Sequence, residues 1–111
     1  RIFKQFVNNT DQQIAIINRR GEIQFVNRVR FTGKEPRELI GQSVFPFLPE
    51  VAREQAKDLL NRVFEGQPFE RLQFKYDYEE GGKGETSLLA VPIIMEGHIK
   101  YAALIEDINK A

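Results

Sequence analysis

Residues 21–41 read GEIQFVNRVRFTGKEPRELIG. The run Ile23–Val26 has the apolar and β-branched side chains of a strand, and Asn27 follows where that strand should end. Its short amide side chain can cap the first turn of a helix over residues 29–31. The segment therefore predicts a strand that leads directly into a helix.

Three residues then divide the helical part of this segment into short pieces. Gly33 suits the end of the first helix, Pro36 the first turn of the next, and Gly41 the end of that one. Several brief helices are expected instead of one long helix. Broken helices of this kind leave room for a cavity.

Turn residues also precede the segment. Asn18-Arg19-Arg20-Gly21 lies between two apolar runs, Ile14–Ile17 and Ile23–Val26. Asn and Gly supply the backbone conformations that tight turns require. We therefore expect a β-hairpin here.

The longest helical pattern lies between Pro49 and Gly66, which are its start and stop signals. Charged side chains occupy one side of this helix, as is usual for a solvated surface. Its apolar stripe consists of Val51, Ala52, Ala56, Leu59, Leu60, Val63 and Phe64.

From Phe69 onward the apolar period changes to two, which predicts strands. Two further strands, Glu85–Met95 and Ile99–Ile108, flank a tight turn at residues 96–98. In the last strand both sides carry apolar residues. We expect Tyr101, Ala103 and Ile105 to line the interior. The other side carries Ala102, Leu104, Glu106 and Ile108, and its apolar residues should then meet a flanking helix or a partner subunit.

The order of these elements resembles a PAS sensor domain. The resemblance rests on Gly21, Ile23, Asn27, Gly33, Glu38, Leu39, Ile40 and Gly41, and on the sequence Asp107-Ile108-Asn109, which is similar to the Asp-Ile-Thr signature that closes many PAS domains. It departs from the family at Asn18, where Asp is common in the first hairpin turn, and at Asn109, which replaces Thr.

The resemblance implies an α+β fold: a five-stranded antiparallel sheet with short helices and one longer helix packed on one face. It places the PAS domain at residues 12–109 and a flanking helix and linker at residues 1–11. In the latter segment Ile2, Phe3, Phe6 and Val7 recur at helical spacing. They can cover the domain's own core or form a dimer contact, as flanking helices of PAS proteins often do.

Composition excludes several classes of function. The 111 residues contain 16 Lys plus Arg and 16 Asp plus Glu, so the net charge of zero offers no electrostatic footprint for nucleic acid or an anionic membrane. The apolar runs fall short of the roughly 20 residues that span a bilayer. We expect a cytoplasmic protein with no membrane insertion. Both ends of the sequence suggest a domain from a longer protein.

Cofactor chemistry is restricted by the absence of cysteine, which excludes disulfides, thiolate nucleophiles and the cysteinyl adduct of flavin light sensors. His98 is the single histidine and falls in a predicted turn, whereas PAS haem sensors carry their iron ligand on the long helix. Haem is therefore disfavoured, and no metal or catalytic cluster is expected. Noncovalent flavin binding stays open.

Nine phenylalanines indicate an aromatic interior, which we expect to be a packed core without a ligand. The alternative is a pocket for a small apolar molecule. Its candidate walls are Phe31, Phe45, Val63, Phe74, Leu89 and Ile105.

The resemblance implies a non-catalytic regulatory module of a larger signalling protein, with a histidine kinase as the favoured parent. A homodimer and an effector domain after the C-terminus are the expected partners. Asp107, Ile108 and Asn109 would transmit the signal at the exit of the domain, although Asp107 can equally cap a following helix. The alternative function is a receptor that binds a noncovalent flavin or an apolar ligand in its core.

Overall fold

The computed structural model describes residues 12–27, 34–48, 50–77 and 83–110. The elements are β1 Gln13–Ile17, β2 Ile23–Val26, α1 Pro36–Leu39, two 3-10 helices at Phe45–Phe47 and Glu50–Ala52, α2 Arg53–Phe64, β3 Glu70–Asp77, β4 Lys83–Met95 and β5 His98–Lys110. The five strands form one antiparallel sheet in the spatial order β2-β1-β5-β4-β3. One longer helix, α2, and several short helices accompany the sheet, so the predicted α+β architecture is confirmed.

The predicted hairpin joins β1 to β2, and Asn18 organises its turn. The Asn18 Oδ1 atom accepts hydrogen bonds from the backbone N–H groups of Arg20 (3.0 Å) and Glu22 (2.9 Å). Its Nδ2 atom donates to the Glu22 carboxylate at 2.8 Å. Asn18 thus supplies the acceptor that an Asp would supply, and a donor that an Asp lacks.

Asn27 fixes the other end of the hairpin. Its Oδ1 atom accepts from the backbone N–H of Ile14 at 2.8 Å, and its Nδ2 atom donates to the carbonyl of Gln12 at 2.9 Å. The side chain therefore joins the end of β2 to the beginning of β1. The expected helix cap concerns residues 28–33, which lie outside the described residues.

Residues 41–44 pair with the end of the hairpin turn and with the first residue of β2. Gly41 donates its N–H to the carbonyl of Ile23, the N–H of Ile23 reaches the carbonyl of Gln42, and Val44 donates to Gly21. Gly41 has a φ of +88°, a backbone conformation that residues with a side chain rarely adopt. The glycine therefore ends α1, as predicted. This connection therefore forms an isolated antiparallel bridge between Ser43 and Glu22, immediately before β2.

Side chains alternate between the two faces of the sheet. The inner face, which packs against α2, carries Ala15 and Ile17 of β1, Ile23 and Val26 of β2, Phe74 of β3, Leu88 and Ala90 of β4, and Ala102 and Leu104 of β5. The outer face carries the residues between them, which include Ile14, Ile16, Leu89, Val91, Ala103 and Ile105.

The predicted orientation of β5 is therefore wrong. Ala102 and Leu104 belong to the buried core, whereas Tyr101, Ala103 and Ile105 occupy the outer face. Both sides of this strand are apolar, so alternation alone identified the two sets but not the side each set faces. Packing of α2 decides the side.

Most of the predicted stripe is buried; Ala56 within α2 and Ala52 just before it are both 0% exposed. Val51 is the exception, because 59% of its surface is exposed. It lies in the 3-10 helix at Glu50–Ala52, whose tighter winding breaks the α-helical period before α2 begins.

Candidate functional site on the inner face of the sheet

The six candidate pocket residues do not share one face. Val63 and Phe74 are buried in the core on the inner face. Leu89 and Ile105 are direct cross-strand partners, and both lie on the outer face. Phe31 lies outside the described residues. The inner and outer members are thus separated by the sheet itself.

Phe45 packs against the core at its margin. Its ring lies against Gly21, and the Lys57 ammonium lies over the ring, 5.5 Å from the centroid. A cation over an aromatic face is attracted by the negative charge of that face. Phe45 therefore fastens the first 3-10 helix to the β1–β2 hairpin.

Small side chains occupy the middle of the inner face. Ala90 and Ala102 are fully buried there, as are Ala52 and Ala56 beside and within α2. Alanines allow a helix to approach a sheet closely, and α2 contacts β3, β4 and β5. The apolar middle of the inner face is thus filled by the helix.

One row of the inner face is polar. Gln13, the first residue of β1, pairs with Glu106 of β5, which in turn pairs with Leu88 of β4. Glu106 is only 6% exposed. The Gln13 Nε2 atom donates to Glu106 Oε1 at 3.4 Å, a long hydrogen bond. The Gln13 Oε1 atom is buried and has no hydrogen-bond partner in the described part of the chain.

This polar row was not identified from sequence as a candidate site. The alternation placed Glu106 on the same side of β5 as Ala102 and Leu104, but that side was assigned to the exterior. The sequence signal for this row is a glutamate that alternates in step with two apolar residues, Ala102 and Leu104. Gln13 gave no signal of its own, because glutamine is ordinary at the beginning of a strand.

Asp107, Ile108 and Asn109, here called the exit segment, belong to the sheet. In backbone register Asp107 is opposite Ser87, Ile108 opposite Thr86, and Asn109 opposite Glu85. Strand β5 extends to Lys110, so Asp107 does not stand directly before a helix. In β5 the exit segment therefore follows directly after the buried Glu106.

The remaining candidates are the single histidine and the apolar residues of the N-terminal segment. His98 is exposed at the first residue of β5. In the described ranges no group of three or more His, Asp or Glu side chains could hold a metal ion. Nor does any helix there have the length and apolar character needed to cross a membrane. Ile2, Phe3, Phe6 and Val7 lie outside the described residues.

Comparison with known proteins identifies relatives of this architecture. The family model described as "PAS fold" matches residues 7–110. No curated protein sequence matches the chain. A PAS domain from Colwellia psychrerythraea is 19% identical, with a TM-score of 0.76 over 99% of this chain and 98% of that one.

Two further structures are similar. A sensory box sensor histidine kinase from Vibrio cholerae is 16% identical, with a TM-score of 0.68 over 99% of this chain and 90% of that one. VqmA bound to DPO is 13% identical, with a TM-score of 0.74 over 97% of this chain and 55% of that one. At these identities the likeness shows the fold.

Proposed function

This chain belongs to the PAS fold family, and from that premise we propose that it is a regulatory sensor domain of a larger signalling protein. The domain couples dimerisation or ligand state to an effector domain after its C-terminus. The favoured parent is a cytoplasmic, two-component histidine kinase, an assignment supported by the similar Vibrio cholerae kinase. The domain itself is non-catalytic, as PAS domains generally are.

One observation carries this proposal. Strand β5 lies between β1 and β4, and the same strand contributes side chains to the inner face and contains the exit segment. Glu106 faces the buried side, and the next residue begins the exit segment. A displacement of β5 caused at Glu106 changes the register or tilt of Asp107–Asn109 directly, because a strand transmits movement along its length. In this proposal the signal enters the strand at Glu106 and leaves it from Asp107, the next residue.

Exchange of Asp107 for alanine in the parent protein tests the exit role. For a histidine kinase parent, the D107A variant should change the ratio of stimulated to basal autophosphorylation. Lys100→Ala, an exposed position on the same strand, is the matched control and should leave that ratio unchanged. An unaltered ratio in D107A contradicts transmission through this segment.

The second candidate is a small-molecule receptor that holds a noncovalent flavin or another ligand in its core. The structural similarity to VqmA bound to DPO favours it. Absorption spectra and native mass spectrometry of freshly purified protein distinguish the two candidates. A colourless protein with the mass of the bare polypeptide supports a domain that acts through dimer geometry alone.

A further inference from the structure

We propose that the outer face of the sheet binds residues 1–11 of the same chain, with the apolar side chains of that segment packed across β1, β5 and β4. The inference adds an interaction surface to the proposed sensor function and does not depend on it. The surface lies on the opposite side of the sheet from α2.

The outer face is apolar across three neighbouring strands. Ile14 of β1 is opposite Ile105 of β5, which in turn is opposite Leu89 of β4. The row beside this one consists of Ile16, Ala103 and Val91. The described helices, by contrast, all pack against the core on the inner face. An apolar surface of this extent indicates a binding surface.

One end of this face is shielded from solvent. Ile14 is 5% exposed although it lies outside the core of the inner face, and Ser87, a polar residue of β4, is 8% exposed. The next strand differs, because Arg71, opposite Leu89, and Gln73, opposite Ser87, are both exposed. The shielded region therefore extends from β1 to β4 and ends before β3.

Residues 1–11 are the part of the chain best suited to supply this cover. They lead directly into β1, and their apolar residues at helical spacing are Ile2, Phe3, Phe6 and Val7. Residues 78–82 are Tyr-Glu-Glu-Gly-Gly and offer little apolar surface. Residues 28–33 connect the end of β2 with α1, whose Leu39 is buried in the core, so this short connection ends on the inner side of the sheet.

The length of the segment fits the shielded region. From β1 through β5 to β4 the sheet spans about 10 Å, because neighbouring strands lie about 4.8 Å apart. A helix over Ile2–Val7 would be about 9 Å long at about 1.5 Å per residue. The polar residues 8–11 can reach about 13 Å when extended, which is enough to join such a helix to β1.

The shielded region reaches the exit segment. In backbone register the buried Ser87 is opposite Asp107, the first residue of that segment. A docked N-terminal segment therefore lies beside the strand through which the domain is proposed to signal. The dimer contact expected of this segment would then form on the outer side of the sheet.

Two introduced cysteines test the docking directly, because the chain contains none of its own. Phe3→Cys with Leu89→Cys places one thiol in the segment and one on the outer face. Phe3→Cys with Gln55→Cys is the matched control, since Gln55 is exposed on α2, on the other side of the sheet. In dilute solution a short bismaleimide should link the first pair within one chain at least about tenfold faster than the second.

Methyl signals in NMR spectra give a second measurement that needs no crosslink. Phe3→Asp should displace the segment and shift the methyl signals of Ile14 and Ile105, while those of Leu104, on the inner face, stay in place. Gln5→Asp introduces the same charge outside the apolar stripe and should shift neither set. This comparison tests the proposal even if a cysteine variant fails to fold.

Equal crosslinking rates of the two cysteine pairs would overturn the proposal. A link between two chains, seen as a doubled mass under denaturing conditions, would also overturn it and assign the face to a second copy. Methyl signals of Ile14 and Ile105 that do not respond to Phe3→Asp would contradict the docking as well. None of these results depends on D107A, so the sensor role is judged separately.

Discussion

A methyl group on Gly21 would lie 2.6 Å from the Cε2 atom of Phe45, because the phenyl ring closes directly over the glycine backbone. The two residues join the β1–β2 hairpin to the first 3-10 helix. Gly21 also has a φ of +83°, in the left-handed region. Two separate requirements, backbone conformation and space, therefore coincide at one position.

The Gly21→Ala variant should be destabilised by both effects. Backbone strain at positive φ costs about 1–2 kcal/mol, and displacement of the ring adds about 1–3 kcal/mol. Gly97→Ala is the control, since Gly97 has a φ of +81° with no atom within 4 Å of the added Cβ. Urea unfolding measures both variants. Equal losses of stability would contradict the contact between Gly21 and Phe45.

The Asn18→Asp variant should restore the residue common at this turn and yet lower stability at neutral pH. It removes the 2.8 Å hydrogen bond to Glu22 and places a second carboxylate there. The cost should be about 1 kcal/mol. Repulsion makes the folded state bind a proton more readily than the unfolded state, so the loss should shrink as the pH falls towards about 4.

Thermal unfolding at several pH values measures this effect. Adding Glu22→Gln to Asn18→Asp supplies a neutral amide donor opposite the new carboxylate and should recover stability at pH 7. If the Asn18→Asp loss is the same at every pH, repulsion between the two carboxylates is not its cause.

The two valines of the predicted apolar stripe should respond differently to truncation. Val63 is fully buried, with 0% exposure, whereas Val51 is 59% exposed. Val63→Ala should cost about 2 kcal/mol, through lost burial and the cavity it leaves. Val51→Ala should cost less than about 0.5 kcal/mol. Chemical unfolding measures the loss of unfolding free energy in both variants. Similar losses would contradict the placement of Val51 in the 3-10 helix.

The proposed dimer contact of the N-terminal segment has a direct test. Phe6→Asp places a charge in the apolar stripe that the sequence predicts for Ile2, Phe3, Phe6 and Val7, and it should shift the chain from dimer to monomer. Gln5→Asp introduces the same charge at a neighbouring position outside the stripe. Light scattering coupled to size-exclusion chromatography measures both masses. A monomeric unaltered chain, or equal effects of the two variants, argues against this contact.

Local signals predicted much of the fold. Asn18 and Gly21 marked the hairpin turn, Pro36 and Gly41 marked α1, and the apolar stripe identified α2. These predictions succeeded because each depends on neighbours within a few residues, where sequence and backbone conformation are directly linked.

The site was harder to predict, because it depends on which side of β5 the helix covers. Ala102 and Ile105 are both apolar, and only packing against α2 buries the smaller one on the inner face. Because the two sides of β5 were assigned the wrong way round, Glu106 was not recognised as an inner-face residue. Leu89 and Ile105, predicted as pocket walls, lie on the outer face for the same reason. The pairing of Gln13 with Glu106 joins residues 93 positions apart, beyond the reach of any local pattern.

The edge strand β3 has a consequence for self-association. Unpaired strand edges recruit further strands from other molecules. In the described part of the sheet β3 pairs with β4 alone, and Arg71 and Lys75 are exposed on it. Joining two copies through β3 uses up this edge of each. A pair joined in this way offers no free β3 to a third copy, so this contact cannot build a fibre.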